Sequence, residues 1–418
     1  MPALIWQCSI IHESRLYRRI LFLNPERMLK YSVGLDISAK TIHACISSID
    51  AGQKVTVKSS CKIDNTKSGF KQLDTWIAKH HQQKDIPLVT AMEATGVYYE
   101  NCALHLFSGG YAVSIILPNK AKKWMQAEGL KSKNDKIDAA GLSKMAAEKA
   151  LELWEPASEY YYQLRALTRQ HQALQEHRTA VSNQLHAELS GMYQNKQVMK
   201  QLKQLIALID KQLDELSTAI EQHLSSDLQV AGKVEKICKI KGLGKLTVAV
   251  ILAETNGFAL FKNAPQLVSY AGYDVKEDES GTHTGKTRIS KQGNSRIRRA
   301  LHMPALCVVT HKQKPFVGLF ERTFERHRIK MKSYVAVQKK LLVLIYALWK
   351  QDADFDENFK NKHTKEQEQE LSLGSASAEA GIDNMGGVQK NSPTKDGLHK
   401  VNTPSELSQY ASSRLPQS

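Results

Sequence analysis

Two carboxylates stand three residues apart in the short segment Asp135-Lys136-Ile137-Asp138. The residues that follow, 139–150, are rich in Ala, Leu, Met and Lys and lack Pro, a composition that favours a helix. Because residues three apart are neighbours on one helical face, both acids would point to the same place. Such a pair could bind a cation, but acids are also favoured in the first turn of any solvated helix.

Two further acids, Asp36 and Glu93, each end a short apolar segment of the chain. Both segments have the length and composition of buried strands, and functional groups in open α/β sheets gather at the carboxyl ends of strands. Taken alone, Asp36 could be a strand-end turn residue and Glu93 a helix-start acid. Taken with Asp135 and Asp138, they predict a site made of four carboxylates.

Four converging carboxylates would repel one another, because a negative charge disfavours the ionised state of its neighbours. Divalent cations would relieve that repulsion. Mg²⁺ is a hard ion that takes oxygen ligands and is usually held by a few carboxylates together with substrate phosphate. Two such ions about 3.5–4 Å apart can activate a nucleophile and stabilise the leaving oxygen in phosphoryl transfer. The acids therefore predict Mg²⁺-dependent chemistry on a phosphodiester.

Charge points to the same class of substrate. The net charge of the 418 residues is +16, and the segment from Gln351 onward is acidic, so the body is more basic still. A basic body indicates a polyanion partner, most often nucleic acid, although a merely soluble basic protein is the alternative. No acid interrupts the basic residues Lys286, Arg288, Lys291, Arg296, Arg298 and Arg299. This run predicts contacts with a phosphate backbone, although a charge run is more usually a solvated face.

A glycine-containing turn precedes the apolar segment 248–254 and is a second candidate for nucleic-acid contact. It contains Lys241, Gly242, Gly244 and Lys245 and resembles a helix-hairpin-helix turn. Glycines let backbone amides approach a phosphate at a helix N-terminus, and the two lysines add positive charge. A plain tight turn between helices is the alternative. The two glycines are too close together for a Walker loop.

The elements that must position these residues follow from apolar periodicity. Strands are predicted at residues 31–36, 41–47, 54–59, 87–93 and 112–117, with helices over 67–81 and 97–107. Antiparallel strands followed by strand–helix–strand units indicate an α/β domain. Leucines and isoleucines at spacings of three and four over 158–224 predict two long helices, as an antiparallel hairpin or a coiled coil. We expect this stripe to serve oligomerisation.

The predicted division of the chain follows these patterns. It comprises an extension at 1–27, an α/β domain at 28–155, the long helices at 156–228, a C-terminal domain at 229–350 and a polar, disordered tail at 351–418. Met28 is expected to be the natural start. Six widely separated cysteines without a CxxC pair argue against zinc and fit a reducing cytoplasm. No apolar run is long enough to span a membrane.

Five sequence segments, taken in order, carry a resemblance to one family. They are residues 33–40, 92–96, 134–139, 242–244, and 269–299, the last with its Ser269-Tyr270-Ala271-Gly272 start and its Glu279-Ser280-Gly281 centre. Over roughly residues 28–349 the chain resembles the DEDD transposases of the insertion-sequence one-hundred-and-ten family, relatives of the Piv DNA invertase. It departs from them in its N-terminal extension, its tail, and Asp274-Val275-Lys276, where a more apolar, Pro-containing segment is expected.

The resemblance implies a RuvC-like, RNase H-type N-terminal domain in which Asp36, Glu93, Asp135 and Asp138 bind Mg²⁺. It also implies a mainly α-helical C-terminal transposase domain whose Ser280 attacks DNA to give a phosphoserine link. A bridge RNA made by the element would guide the choice of target and donor. Dimers would assemble into tetramers, with the acid site of one subunit near the serine of another.

From these features we expect a bacterial transposase that is cytoplasmic and associated with the nucleoid. Ser280, next to Gly281, could otherwise be a plain turn serine. Two rival hypotheses stay open. One is a metal-dependent nuclease, like a Holliday-junction resolvase, that uses water and forms no covalent serine intermediate. The other is an inactive nucleic-acid-binding protein with a degenerate nuclease fold.

Overall fold

The computed structural model describes residues 26–129, 134–277, 279–281, 283–285 and 287–356. Lys286, the expected extension up to residue 25 and the tail from residue 357 lie outside the described residues. The chain forms two compact units. One contains the residues up to Ala231 together with Lys245–Ala300, and the other contains Gly232–Gly244 together with the residues from Leu301.

These units cut across the division predicted from the sequence. Residues 245–300, expected in the C-terminal domain, lie in the same unit as the N-terminal sheet. The physical reason is a helix at 245–255 that packs on the long helices. An ion pair between Arg169 and the buried carboxylate of Glu254 joins this helix to them. The five-part division itself stays a prediction.

A five-stranded mixed sheet opens the first unit. Its strands are β1 (Met28–Ile37), β2 (Thr41–Asp50), β3 (Val55–Asp64), β4 (Leu88–Glu93) and β5 (Ala112–Ile116). The spatial order is β3-β2-β1-β4-β5. The first three strands are antiparallel, whereas β4 runs parallel to β1 and β5 parallel to β4. Every predicted strand is present, and the predicted α/β class of this domain is confirmed.

Helices cover both faces of the sheet. Helices α1 (Lys67–His80) and α2 (Glu100–Ser108) bury Leu73, Ile77 and Leu106 against Val33 and Leu35 on one face. Helices α3 (Pro118–Ala127) and α4 (Asp135–Glu148) lie on the other face, where Leu142 and Met145 pack with Ala91 and Ile116. Helix α3 was not predicted, although Pro at its first position is a recognised helix-start signal.

Helix α4 crosses β1 at very short range. A Cβ at Gly34 would lie well within 3.0 Å of Ala139 O and Ser143 N, both backbone atoms of the helix. Three buried hydroxyl groups join the same layers. The Ser143 hydroxyl donates to Ser32 O at 3.0 Å, and its oxygen lies at hydrogen-bond distance, 2.8 Å, from that of Ser47. Glycine in the strand and serines in the contact layer therefore fix the position of α4 over the sheet.

Two long helices follow the sheet, α5 (Glu159–Ser190) and α6 (Lys196–Ser225). They run antiparallel, since the Tyr160 hydroxyl at the start of α5 donates to His223 O at the end of α6, 3.0 Å away. Buried Leu174, Val181, Ile209 and Leu213 pack between them. The hairpin is thus confirmed, and its apolar stripe packs within one chain. A coiled coil and oligomerisation through these helices stay predictions.

The rest of the chain is mainly helical, as expected. Helix α7 (Leu228–Cys238) is followed by α8 (Lys245–Thr255), α9 (Ala264–Tyr270), the two-residue strands β6 (Val275–Lys276), β7 (Glu279–Ser280), β8 (His283–Thr284) and β9 (Arg288–Ile289), and α10 (Ser295–Ala300). Helices α11 (His302–Thr310), α12 (Lys314–His327) and α13 (Lys330–Gln351) belong to the second unit. Among the described residues, no helix is both long and apolar enough to cross a membrane.

Candidate metal and nucleic-acid site

Asp36 and Glu93 lie at the carboxyl ends of neighbouring parallel strands. The register of β1 and β4 pairs Leu35 with Met92, the residues that directly precede the two acids. Leu35 and Met92 are both buried in the core under α1 and α2. Because successive side chains on a strand point to opposite faces, Asp36 and Glu93 point to the face that α4 covers.

Asp135 and Asp138 lie in the first turn of α4. Asn134 caps this turn, since its side-chain oxygen accepts a hydrogen bond from the Ile137 amide at 2.8 Å. The helix-start interpretation of the two acids is therefore correct as a statement of local structure. A role in a site is compatible with this, because the close crossing at Gly34 holds the start of α4 beside the end of β1 and the start of β2.

The structure brings Asp36 and Asp135 together and adds a third residue, His43. One potential ligand atom from each of the three lies within 4.8 Å of the other two. The Nδ1 atom of His43 is 3.3 Å from Asp135 Oδ2. Glu93 and Asp138 are placed on the same side of the sheet but are not members of this group. The Glu93 carboxylate instead accepts a hydrogen bond from the Thr95 hydroxyl at 3.1 Å.

Sequence reasoning missed His43, although a signal for it was present. The short turn at residues 38–40 joins β1 to β2 and sets their register, in which Asp36 is directly opposite His43. Opposite residues on antiparallel strands share a face, so His43 had to stand beside Asp36. The hairpin register, read outward from the turn, would have identified it.

This donor set fits a divalent cation. Carboxylate oxygens suit Mg²⁺, Ca²⁺ and Mn²⁺, and imidazole nitrogen adds affinity for transition metals. The site is open on one side, because the side chain of Asp135 is 60% exposed whereas that of His43 is 18% exposed. A phosphate group could therefore reach the carboxylates from solvent. Nearby Cys45 is a poor candidate for a nucleophile, because burial raises the pKa of its thiol.

Ser280 lies on a separate feature, an excursion of short strands between α9 and α10. Strand β6 pairs with β9, and β7 pairs with β8 in a register that sets Ser280 opposite His283. Ser280 is exposed, and Gly281 follows it with a φ of +58°. We name residues 273–292 the serine hairpin. Within the described part of one chain, Ser280 lies on a different secondary-structure element from the acids of the sheet.

The basic run divides into two groups in the structure. Arg288 and Lys291 are exposed. The other described members face protein acceptors. The Arg298 guanidinium donates to Ala271 O at 2.8 Å, Arg296 Nε lies 4.0 Å from a carboxylate oxygen of Glu254, and Arg299 pairs with Glu176. Arg299 is exposed as well but is paired with an acid, so exposure together with the lack of such a described partner favours Arg288 and Lys291 as phosphate contacts.

The glycine-containing turn has a structural requirement for one of its glycines. Gly242 has a φ of +93°, and a Cβ there would lie 2.6 Å from the Cβ of Cys307. Gly244 has no atom near its Cβ position, and its neighbourhood is exposed. Lys241 is also exposed in this unit, and exposed Lys245 begins α8 in the other unit. Their contact with nucleic acid stays a prediction.

Protein-family models match both the part of the chain that contains the sheet and the part that contains the serine hairpin. A family model described as "Transposase", for DEDD transposases of the IS110 type, matches residues 33–194. A second, described as "Transposase IS116/IS110/IS902 family", matches residues 234–318. The chain belongs to the IS110 family of transposases. An IS110-family transposase is an enzyme of DNA transposition and recombination, so the expected enzyme class is confirmed.

Two individual relatives are consistent with membership of the IS110 family. It is 28% identical over 332 residues to the pilin gene-inverting protein of Moraxella bovis, covering 79% of this chain and 98% of that one. It is 22% identical over 240 residues to the transposase for insertion sequence element IS1328 of Yersinia enterocolitica, covering 51% of this chain and 69% of that one.

Among solved structures, similarity is found to T. thermophilus RuvC in complex with a Holliday junction substrate. The TM-score is 0.24 at 11% identity, and the match covers 30% of this chain and 99% of that chain. A second Thermus thermophilus RuvC structure matches with a TM-score of 0.23 at 12% identity, over 28% of this chain and 93% of that chain.

Proposed function

We propose that this IS110-family transposase cuts and rejoins DNA through Ser280, assisted by a divalent-metal site that includes Asp36, Glu93, Asp135 and Asp138. The observation that carries the proposal is the convergence of Asp36 and Asp135 from two elements far apart in sequence. Their potential ligand atoms lie within 4.8 Å of one another and of His43. Carboxylates that converge in this way repel one another unless a cation binds between them.

Mg²⁺ is the ion that suits the four carboxylates best, since it takes oxygen ligands and is usually shared with substrate phosphate. When bound, it would offset the negative charge of the phosphodiester and of the acids. Asp36 and Glu93 would hold it from the ends of β1 and β4. Asp135 and Asp138 would hold it from the first turn of α4.

The covalent step assigned to Ser280 needs no reactant other than the DNA. The Ser280 Oγ atom attacks phosphorus, a new Oγ–P bond forms, and the P–O bond to the leaving sugar oxygen breaks. The proton lost from the serine hydroxyl is matched by the proton gained by the leaving oxygen. Attack by a sugar hydroxyl of the second DNA strand reverses the exchange and frees the serine. An exposed hydroxyl on a short hairpin is accessible to DNA.

Charges on the serine hairpin support binding of a phosphate backbone next to Ser280. Lys276 and Arg288 are both exposed and stand directly opposite each other in the pairing of β6 with β9. Like charges at opposite positions destabilise a strand pair, and a phosphate between them would remove that penalty. A protein that binds DNA in this way is expected to be found with the nucleoid.

A bridge RNA and a tetrameric assembly complete the proposal, and both follow from the resemblance to the family. Placement of Ser280 on a hairpin of its own supports an arrangement in which the acids of one subunit act with the serine of another. Sequencing of nucleic acid that co-purifies with the protein tests the first part. A structured RNA encoded beside the gene supports guidance, and its absence from purified, active protein contradicts it.

One observation favours a second candidate function, a metal-dependent nuclease that uses water. The acids converge within one chain, whereas Ser280 lies on a different element. The variants Ser280→Ala and Asp36→Ala separate the two functions on DNA taken from the flanks of the gene. A serine recombinase loses joining in both variants. A nuclease loses cleavage only in Asp36→Ala.

A further inference from the structure

Glu254 is a buried carboxylate that the proposed chemistry does not use. It lies near the end of α8, and its side chain is 2% exposed. The guanidinium of Arg169, on α5, binds it with two hydrogen bonds, Nε to Oε1 at 2.7 Å and a terminal nitrogen to Oε2 at 2.9 Å. A bidentate ion pair of this kind is strong and also fixes the relative orientation of the two side chains.

Glu254 also binds both ends of the serine hairpin, one through its carboxylate and the other through its backbone carbonyl. On the far end, the Asn294 side-chain amide donates to Glu254 Oε2 at 2.8 Å. On the near end, the Tyr270 hydroxyl donates to Glu254 O at 3.0 Å. The two ends are joined to each other as well, because Asn294 N donates to Tyr270 O at 2.7 Å.

The close approach of the two ends requires glycine. A Cβ at Gly293 would lie within 3.0 Å of Tyr270 O and of the backbone of Gly272. Gly272 has a φ of +72°, and a Cβ there would meet the Arg298 guanidinium at 2.8 Å. The backbone pairs Lys291 N with Gly272 O at 3.1 Å just inside this crossing. Backbone hydrogen bonds therefore close the base of the serine hairpin, and Glu254 binds the residue at each of its ends.

We infer that Glu254 is the positioning residue of the serine hairpin, and that it ties the base of the hairpin to the long helix α5 through Arg169. This inference rests on the proposed function, because what is positioned is the attacking Ser280. Arg169, Glu254 and Asn294 act through the backbone of the hairpin and do not touch the reacting atoms. The ion pair between Arg169 and the buried carboxylate of Glu254 in this way links α5 to the base of the hairpin.

A second ion pair formed by an arginine of α5 provides the control. Arg178 on α5 pairs with Asp210 on α6, but both side chains are 43% exposed and neither contacts the serine hairpin in any described bond. Neutralising each carboxylate in a separate variant therefore compares an ion pair that is bonded to the hairpin with one that is not. The variants are Glu254→Gln and Asp210→Asn.

The test is amide hydrogen exchange of the full-length protein, read by mass spectrometry over the serine hairpin and over β1 and β4. In Glu254→Gln the hairpin amides are expected to exchange about tenfold faster, since hydrogen bonds to a charged group are lost. The amides of β1 and β4 should be unchanged. In Asp210→Asn the hairpin amides should match the wild-type protein. The Arg169→Lys variant keeps the charge but loses the bidentate geometry, so its hairpin should exchange at an intermediate rate.

Joining of DNA from the flanks of the gene supplies a second readout. In Glu254→Gln the joining rate is expected to fall about 10²-fold, as for a misplacement of roughly 1 Å. The Kd for that DNA should stay unchanged, which a general loss of structure would not allow. Unaltered hairpin exchange in Glu254→Gln and Arg169→Lys would overturn the inference, and so would equally faster exchange in the sheet. Joining by Ser280→Ala would instead overturn the proposed function and leave the exchange results intact.

Discussion

The imidazole Nδ1 of His43 lies 3.3 Å from the Oδ2 atom of Asp135. This contact joins β2 to the first turn of α4 across the end of β1, where Asp36 stands opposite His43. The side chain of Asp135 is otherwise 60% exposed. His43 is therefore the group that holds this carboxylate in place, either beside a bound cation or as one of the ligands.

His43→Ala is predicted to weaken the binding of divalent cations about 10- to 100-fold, the range found when partners of metal ligands are removed. Titration calorimetry with Mn²⁺ on the full-length protein measures this. The control is His105→Ala, which also removes a histidine–aspartate contact, because His105 Nε2 lies 2.8 Å from Asp74 Oδ2. Equal Mn²⁺ affinity in wild type and His43→Ala would show that His43 has no part in the site.

Gly34→Ala is predicted to destabilise the fold and to displace α4, because the new Cβ would clash with Ala139 O and Ser143 N. Overpacking against backbone of this kind costs about 1–3 kcal/mol or more. Thermal unfolding compares this variant with Gly318→Ala, where no atom lies within 4 Å of the added Cβ. In that helical position alanine is expected to be neutral or to stabilise by about 0.5–1 kcal/mol. Equal melting temperatures for both variants would contradict the close crossing of α4 over β1.

The pKa of Glu254 predicts how the serine hairpin responds to acid. Burial by itself would raise this pKa, but hydrogen bonds from Arg169 and Asn294 lower it by more, so the pKa lies below its usual value. A lowered pKa stabilises the fold above the unfolded value, about 4.3 for Glu, and that stabilisation is lost as pH falls through the folded value. Hairpin exchange, corrected for its intrinsic pH dependence, should be constant from about pH 7 to pH 5 and rise below about pH 4.

Glu254→Gln should remove this acid response, because it leaves no carboxylate to protonate. The hydrogen bond to Glu254 raises the pKa of Arg169, and burial raises the pKa of Tyr270, so neither group titrates in this range. A rise in hairpin exchange in Glu254→Gln over the same pH range would assign the response to another group.

Exposed members of the basic run should contribute to phosphate binding one by one. Arg288→Gln and Lys291→Gln are each predicted to reduce the slope of log affinity against log salt by about one. Lys211→Gln is the control, since Lys211 is an exposed lysine on α6 with Glu215 as its neighbour at 3.9 Å. Electrophoretic mobility shifts with DNA from the flanks of the gene give the slopes. Identical slopes for all three variants would remove the serine hairpin from the nucleic-acid interface.

The sheet was predictable from the sequence because each strand carries its own signal. The apolar segments that end in Asp36 and Glu93 are long enough to be strands and contain no charge to break them. The first turn of α4 was also identified, since Asp135 and Asp138 precede a helical composition. Position of the four acids on one face then follows from alternation along a strand and from the three-residue spacing on a helix.

The contacts between elements were not predictable in the same way. The basic run Arg296, Arg298 and Arg299 has the composition of a phosphate-binding segment, yet each of these side chains faces a protein acceptor. Composition reports charge along the chain and does not report which acids the fold brings opposite. For the same reason Glu254, a single acid in an apolar helix, gave no sign that it anchors the serine hairpin.

The most direct test of the account is a search for a covalent bond between Ser280 and DNA. The full-length protein is incubated with Mg²⁺, any co-purified RNA and a nicked DNA duplex from the flanks of the gene, then digested and examined by mass spectrometry. The account predicts a nucleotide attached through phosphate to the peptide that contains Ser280, and its absence in Ser280→Ala and in Asp36→Ala. Joined DNA products from Ser280→Ala, with no modified serine in the wild-type protein, would contradict it.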